Sequence, residues 1–157
     1  MRQLTLLFMV TDKEVLLAMK KRGFGKDRWN GVGGKLESGE TIQQALVREC
    51  KEEIKVTPLE YHKAADITFD EIHTGKRELL KVHVFLCTKW SGEPTETEEM
   101  APKWFAQNKI PFNDMWADDP YWLPKVLKGK KICATFKLGD NDQVVEQTVK
   151  TIKEFNA

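Results

Sequence analysis

Excess charge is the first thing this chain lacks. It has 25 Lys and Arg against 24 Asp and Glu, a formal net charge of +1. Nothing in that balance draws it to nucleic acid or to an anionic membrane. Cysteine is scarce. Cys50, Cys87 and Cys133 are widely spaced, odd in number and set among apolar neighbours. This argues for reduced, buried thiols in a reducing compartment and against a disulfide framework. The three histidines, His62, His73 and His83, share no metal-ligand spacing, which favours structural or solvent-exposed roles. No Ser/His/Asp or Cys/His arrangement is visible. The apolar run in MRQLTLLFMVTDKE is too short to span a bilayer and has no small-residue cleavage site, so a strand is expected there. Internal repeats, low-complexity tracts and lipidation signals are missing too. The remainder is ordinary: 157 residues, 41% hydrophobic and 31% charged. One globular domain over 1–157, with a sizeable core, is expected.

The chain is organised around the stretch from Gly34 to Val56, GKLESGETIQQALVRECKEEIKV. Thr41 suits a helix N-cap, with Gln44 in the capping-box position. Ile42, Ala45, Leu46, Val47, Cys50 and Ile54 then supply apolar positions along about three and a half turns. At about 100° per residue, Ile42 and Leu46 mark the middle of the apolar stripe. Glu49 and Glu53 fall within about 20° of Ile42, on the buried side. Glu52 lies beside Ala45, and Arg48 beside Glu52. Gln43, Gln44, Lys51 and Lys55 are left for water. A solvated acidic face would put its glutamates opposite the apolar residues. Like charges buried together need a cation, and clustered carboxylates suit Mg²⁺ or Mn²⁺.

The spacing is itself a signal: Gly34, five residues, Glu40, seven residues, Arg48-Glu49, two residues, Glu52-Glu53. Six such positions coincide by chance about once in 100,000 chains of this length. The pattern resembles the Nudix box. That family usually has glycine where Lys55 stands, a departure that bears on the helix C-cap.

Elsewhere, Gln3 to Val10 and Glu14 to Met19 suggest a hairpin of buried strands around Thr11-Asp12-Lys13. KKRGFGKDRWNGVGGK follows, with five glycines between Gly23 and Gly34 and several cations. Alone it is a surface loop; directly before the box it suits a phosphate-bearing ligand. Pro58 is expected to break the helix. Tyr61 to Ile72 and Glu78 to Thr88 predict two strands around the turn His73-Thr74-Gly75-Lys76, the second of them central. SGEPTETEE, Ser91 to Glu99, is an acidic loop, and Pro102 to Ala106 a short strand. Asp118 or Asp119 is placed to cap a helix with Pro120 at its start, carrying Trp122, Leu123, Val126 and Leu127 on one face. Gly129 ends it. Ile132 to Leu138 and Gln143 to Ile152 predict a closing hairpin. The order β-β-α-β-β-β-α-β-β implies an α/β fold, a mixed β-sheet sandwiched between helices (α/β/α). The Nudix fold, which the resemblance implies, is the same.

MKKRGFGKDRWNGVGGK, the VHVF of Val82 to Phe85, and WFAQNKIPFNDMWADDPYW extend the likeness over nearly the whole chain. They resemble the eukaryotic-type MutT homologues of the Nudix family, which act on oxidised purine nucleoside triphosphates. The resemblance implies hydrolysis to the monophosphate and pyrophosphate with Mg²⁺, Mn²⁺ being an alternative. It implies that Glu49, Glu52 and Glu53, the Gly33 carbonyl and Glu99 hold the metal. Glu53 or Glu52 would be the general base, and Arg48 would orient the glutamates. Lys20, Val32 and Gly33-Gly34-Lys35 would face sugar and phosphates. The base would meet Thr5, Phe24, Asn30, Phe69, Leu80 and Met100. Its other contacts would be Trp116, Ala117, Asp118, Asp119 and Trp122. Without the resemblance, Phe69, Leu80 and Trp122 would pass for core and Asn30 for a turn residue.

The expected partner is a small-molecule nucleoside triphosphate, with no nucleic acid and no membrane, acting on a monomer. The expected location is cytoplasmic, or the mitochondrial or nuclear nucleotide pool of a eukaryotic cell. Two other functions are weighed. One is a Nudix pyrophosphatase for another nucleotide or a pterin triphosphate, which the pocket residues argue against. The other is a non-catalytic nucleotide- or RNA-binding module, which would be expected to lose the glutamates that are present here.

Overall fold

The computed structural model describes residues 1–73 and 76–155. Eight strands and two α-helices follow in chain order: β1 Arg2–Met9, β2 Glu14–Lys20, β3 Trp29–Asn30, α1 Ile42–Ile54, β4 Thr57–His73, β5 Lys76–Ser91, β6 Met100–Ala106, α2 Asp119–Leu127, β7 Lys131–Leu138 and β8 Val144–Ile152. The turn expected at His73 to Lys76 includes Thr74 and Gly75, which lie outside the described residues.

Two sheets carry these strands. One has five strands in the order β1-β5-β4-β7-β8, the other three in the order β3-β2-β6. In the larger sheet β1 runs parallel to β5 and β4 parallel to β7, while β4/β5 and β7/β8 are antiparallel. The sheet is therefore mixed. The closing hairpin of β7 and β8 forms as expected. The hairpin expected of the first two strands does not. β1 joins the large sheet and β2 the small one, and the only bridge between them among the described residues is Val10 to Val15. Both strands are apolar enough to pair with other strands, and each does so at a distance in sequence.

Alternation along β1 and β5 feeds two cores. Leu7, Met9, Phe85 and Cys87 pack with Leu46, Cys50 and Ile54 of α1. Phe8, Val84 and Leu86 pack with Trp122, Leu123 and Val126 of α2. The helices thus cover opposite faces of the large sheet, which makes the α/β/α sandwich. Two of the thiols, Cys50 and Cys87, are buried; Cys133 is exposed, on the outward face of β7.

Helix α1 starts as its sequence dictates. Thr41 Oγ1 accepts from the Gln44 amide at 3.1 Å, and Gln44 Oε1 accepts from the Thr41 amide at 2.9 Å. It ends at Lys55, whose φ of 61° is left-handed and whose amide donates to the Cys50 and Lys51 carbonyls. Lysine takes the glycine's conformation there, at a cost of roughly 1–2 kcal/mol. Pro58 ends nothing, since it already lies in β4.

Candidate active site

The segment after β3 runs along the open edge of β1. Leu7 donates to the Val32 carbonyl at 2.7 Å, Val32 returns a bond to the Leu7 carbonyl at 2.9 Å, and Thr5 donates to the Gly34 carbonyl at 2.9 Å. Alternation turns the Gly33 amide the other way, toward α1, where it donates to Glu53 Oε1 at 3.1 Å. Side chains at Gly33 and Gly34 would meet close neighbours. A β-carbon on Gly33 would lie 1.9 Å from the Thr5 carbonyl oxygen, and one on Gly34 would lie 2.6 Å from Glu49 Oε1. These two glycines let backbone approach the carboxylates of α1.

Glu53 is only 3% exposed. Burial, followed by the charge of Glu49 and a hydrogen bond with it, pushes the Glu53 carboxyl up to about 9, against the pull of the Gly33 amide. Two carboxyls in contact out of water need a proton or a cation between them. Arg48 organises the other side. It holds Glu40 in a two-point pair at 2.7 and 2.9 Å, donates to Glu49 at 2.9 Å and Glu52 at 3.3 Å, and reaches the Lys35 carbonyl at 3.1 Å. Its guanidinium is held firmly cationic by Glu40.

Glu99 comes from the loop before β6. Thr97 Oγ1 donates to the Glu53 carbonyl at 2.7 Å and accepts from the Glu99 amide at 3.2 Å, so that loop is tied to the end of α1. Among the described residues no three acidic, histidine or cysteine side chains are gathered into a ready cation cage. Glu52, half-exposed, turns outward to Arg48, and Glu99 leans to Arg22 at 3.8 Å. The expected set of Gly33, Glu49, Glu52, Glu53 and Glu99 is thus only partly assembled. Each of the two outlying carboxylates sits near an arginine, as like charges separate onto the nearest cations.

Beside these carboxylates opens a cleft of about 740 Å³. Its floor is the α2-side face of the large sheet: Leu4 and Leu6 from β1, Leu80 and Val82 from β5, Ile67 and Phe69 from β4. Phe24, Trp116 and Trp122 supply aromatic wall. Trp116 meets the Phe24 ring at 5.1 Å between centroids and carries the Arg28 guanidinium 4.0 Å over its ring. At the α2 end Asp118 and Asp119 are 4% and 2% exposed.

Neither aspartate caps α2 with its side chain in the expected way. Asp118 Oδ2 accepts the Trp122 indole N–H at 2.9 Å, and Asp119 Oδ2 accepts the Trp116 amide at 3.2 Å. Burial pushes Asp118 up to about 6 against the Trp122 bond, with Glu71 adding to the rise. Burial, then the charge of Asp118, raises Asp119 well above the usual carboxylate range; the Trp116 amide and Arg28 oppose it. Thr5 is 2% exposed, and its hydroxyl has no hydrogen-bond partner among the described residues.

The expected substrate residues converge on this cleft. Thr5, Lys20, Phe24, Asn30, Phe69 and Leu80 line it, as do Met100, Trp116, Asp118, Asp119 and Trp122. So do Gly33, Gly34 and Lys35, with Glu49, Glu53 and Glu99 at the α1 end. Val32 does not: it is 1% exposed and packed in the α1 core. Ala117 and Glu52 also fall outside the lining. Between Trp116 and Asp118 the chain turns Ala117 away, and Glu52 is on the Arg48 side of α1. Sequence reasoning missed Arg28 and Glu71. Period-two alternation from Phe69 pointed to Glu71; nothing local pointed to Arg28.

A sheet sandwiched between two helices, with glycine amides and helix carboxylates at one end of a base-sized cleft, defines a nucleotide-hydrolase class of site. The NUDIX domain model matches residues 1–126, and the chain belongs to the Nudix family. It is 44% identical over 154 residues to an oxidized purine nucleoside triphosphate hydrolase of Mus musculus, covering 98% of this chain and 97% of that one. It is 46% identical over 151 residues to the protein of the same name in Danio rerio, covering 96% of each. The fold matches the crystal structure of a MutT protein from Bacillus halodurans at a TM-score of 0.81 and 22% identity, covering 95% of this chain and 97% of that one. Nudix hydrolases generally use divalent metal ions. The donors here fit one: buried Glu53 and partly buried Glu49 present hard carboxylate oxygens in hydrogen-bond contact.

Proposed function

We propose that this protein hydrolyses oxidised purine nucleoside triphosphates, of the 8-oxo-dGTP and 2-hydroxy-dATP type, to the monophosphate and pyrophosphate. On this reading it works with Mg²⁺, as a monomer on free nucleotides, and keeps damaged precursors out of DNA. The observation that carries the reading is the pairing of two acidic sites in one cleft: partly buried Glu49 with buried Glu53 at one end, buried Asp118 with Asp119 between two tryptophans at the other. The names of the mouse and zebrafish relatives point to the same substrates.

Glu49, Glu53 and Glu99 would hold the metal ion. When bound, it supplies charge neutralisation on the phosphates and lowers the pKa of bound water. The chain's own residues do the rest. Lys20 and Lys35 face the phosphates as cations. The Gly33-Gly34 backbone gives the triphosphate room to approach α1. Arg48 fixes Glu49 against Glu40, so the carboxylates do not reorganise as charge develops. Of the two candidate bases, Glu53 lines the cleft and Glu52 does not, so Glu53 takes the proton as water attacks phosphorus. Trp116 supplies a stacking face, and the aspartates with Asn30 meet the base edge.

Turnover of 8-oxo-dGTP, 2-hydroxy-dATP, dGTP and dATP with Mg²⁺, with product analysis, tests this. The expected result is pyrophosphate release with kcat/KM at least tenfold higher on the oxidised bases. Equal turnover of all four, or release of orthophosphate, would overturn it.

A further inference from the structure

The floor of the cleft has one row that is out of character. Ile67, Phe69 and Glu71 alternate along β4 and all three line the cleft. Ile67 lies opposite Val82, Phe69 opposite Leu80 and Glu71 opposite Glu78 on β5, while β7 places Leu138 beside Glu71. The first two rows are apolar; the third carries a carboxylate that is only 8% exposed. The Glu71 side chain thus brings acceptor oxygens to a part of the floor that is otherwise hydrocarbon on the Ile67 and Phe69 rows. It stands close enough to Asp118 for its charge to act on that residue. Glu71, Asp118 and Asp119 line the same cleft, and Arg28 is the cation whose charge reaches Asp119.

An ionised carboxylate only accepts hydrogen bonds, and its two oxygens offer about four acceptor positions. One engaged elsewhere still leaves acceptors for a ligand. A base stacked on Trp116 would turn an edge to these carboxylates. Purine edges differ in whether they offer amino N–H groups there. We propose that Glu71 is a base-reading residue, which with Asp118 selects purines bearing an exocyclic amino group of the guanine 2-amino type over the same purines without it. This rests on the nucleotide hydrolysis proposed above. A base lacking the donor forgoes that hydrogen bond inside the cleft, and a lost hydrogen bond to a partly desolvated group is how such sites discriminate.

The test compares 8-oxo-dGTP with 8-oxo-dITP, which differ only by the 2-amino group, in the wild type, Glu71→Gln and Glu71→Asp. Glutamine keeps the shape but replaces one acceptor by a donor. Aspartate keeps the charge but withdraws it by one methylene. The wild type should favour the amino-bearing substrate at least tenfold in kcat/KM. Glu71→Gln should cut that ratio at least fivefold, chiefly through KM, and Glu71→Asp should cut it in the same direction. A purely structural role would lower both substrates together and leave the ratio alone. An unchanged ratio in both variants, or a wild type indifferent to the amino group, overturns the proposal while leaving hydrolysis of oxidised purines standing. A wild type that hydrolyses neither substrate overturns both. If Glu71→Gln does not fold, the ratio in Glu71→Asp decides.

Discussion

The backbone amide of Gly33 donates to the buried carboxyl of Glu53 at 3.1 Å, across 20 residues of sequence. The bond joins the edge of the large sheet to the carboxylate helix. It aims Glu53 into the cleft and opposes the rise that burial and Glu49 impose on it.

Glu53→Gln keeps that amide bond and removes the group that can ionise. The expected effect is a loss of kcat of about 100-fold or more, on the order of 3 kcal/mol of transition-state stabilisation. The melting temperature should hold or rise, because the repulsion from Glu49 is relieved. Steady-state kinetics with a thermal melt decide it; near-normal turnover in both this variant and Glu52→Gln would remove the carboxylates from the mechanism.

Gly33→Ala and Gly34→Ala should fail in different ways. The first drives a β-carbon into the Thr5 carbonyl, which only backbone movement can relieve. It should cost about 2 kcal/mol or more of stability, seen in denaturant titration. The second meets the end of the Glu49 side chain, which can give way only by loosening its pair with Arg48. Gly34→Ala should therefore fold well yet lose at least tenfold in kcat. Equal stability losses in the two would contradict the geometry.

Glu99→Ala should raise the Mg²⁺ concentration for half-maximal rate more than Glu96→Ala or Glu98→Ala. Glu96 pairs with Lys21 at 2.6 Å and Glu98 lies near Arg22, both on the surface. A metal titration of the three variants distinguishes a ligand from a solvated acidic run, for which all three would shift alike.

Asp118 gives a pH signature. Its folded-state carboxyl is raised to about 6 by burial, above the ordinary value of 3.8. The unfolded chain therefore releases this proton first. The associated stability is fully present below the unfolded value and is lost as pH rises through the folded one. Asp118→Asn removes the titration, so it should gain melting temperature over the wild type at pH 8 and gain little or none at pH 4. A difference independent of pH would show that the carboxyl is not raised.

The same pair should govern base choice. A protonated carboxyl donates and accepts, an ionised one only accepts. Asp118→Asn and Asp119→Asn should each shift the kcat/KM ratio of oxidised guanine to oxidised adenine substrates by roughly tenfold, for 1–2 kcal/mol of hydrogen bonding. The wild-type ratio should also drift between mildly acid and mildly alkaline pH. If neither substitution moves the ratio, the base is read elsewhere in the cleft.

Local pattern in the sequence was enough for α1, its capping box, and the burial of Glu53 on the apolar stripe, because a 3.6-residue period fixes which side chains share a face. It was also enough for the hairpin of β7 and β8 and for most residues of the cleft, where the family likeness carried positions that composition leaves ambiguous. The tertiary structure alone separated β1 and β2 into different sheets, since alternation marks a strand's faces but not its partner. It chose Glu53 over Glu52 as the carboxylate inside the cleft, because that depends on where β1 and its flanking glycines lie against the helix. It also moved Val32 into the core and turned Asp118 from a helix cap into a partner of Trp122. Only the joining of β4, β7 and α2 around one cavity revealed Glu71 beside Asp118. Those two residues are 47 positions apart in sequence, and no local propensity reports which distant residues long-range strand pairing brings to one cleft.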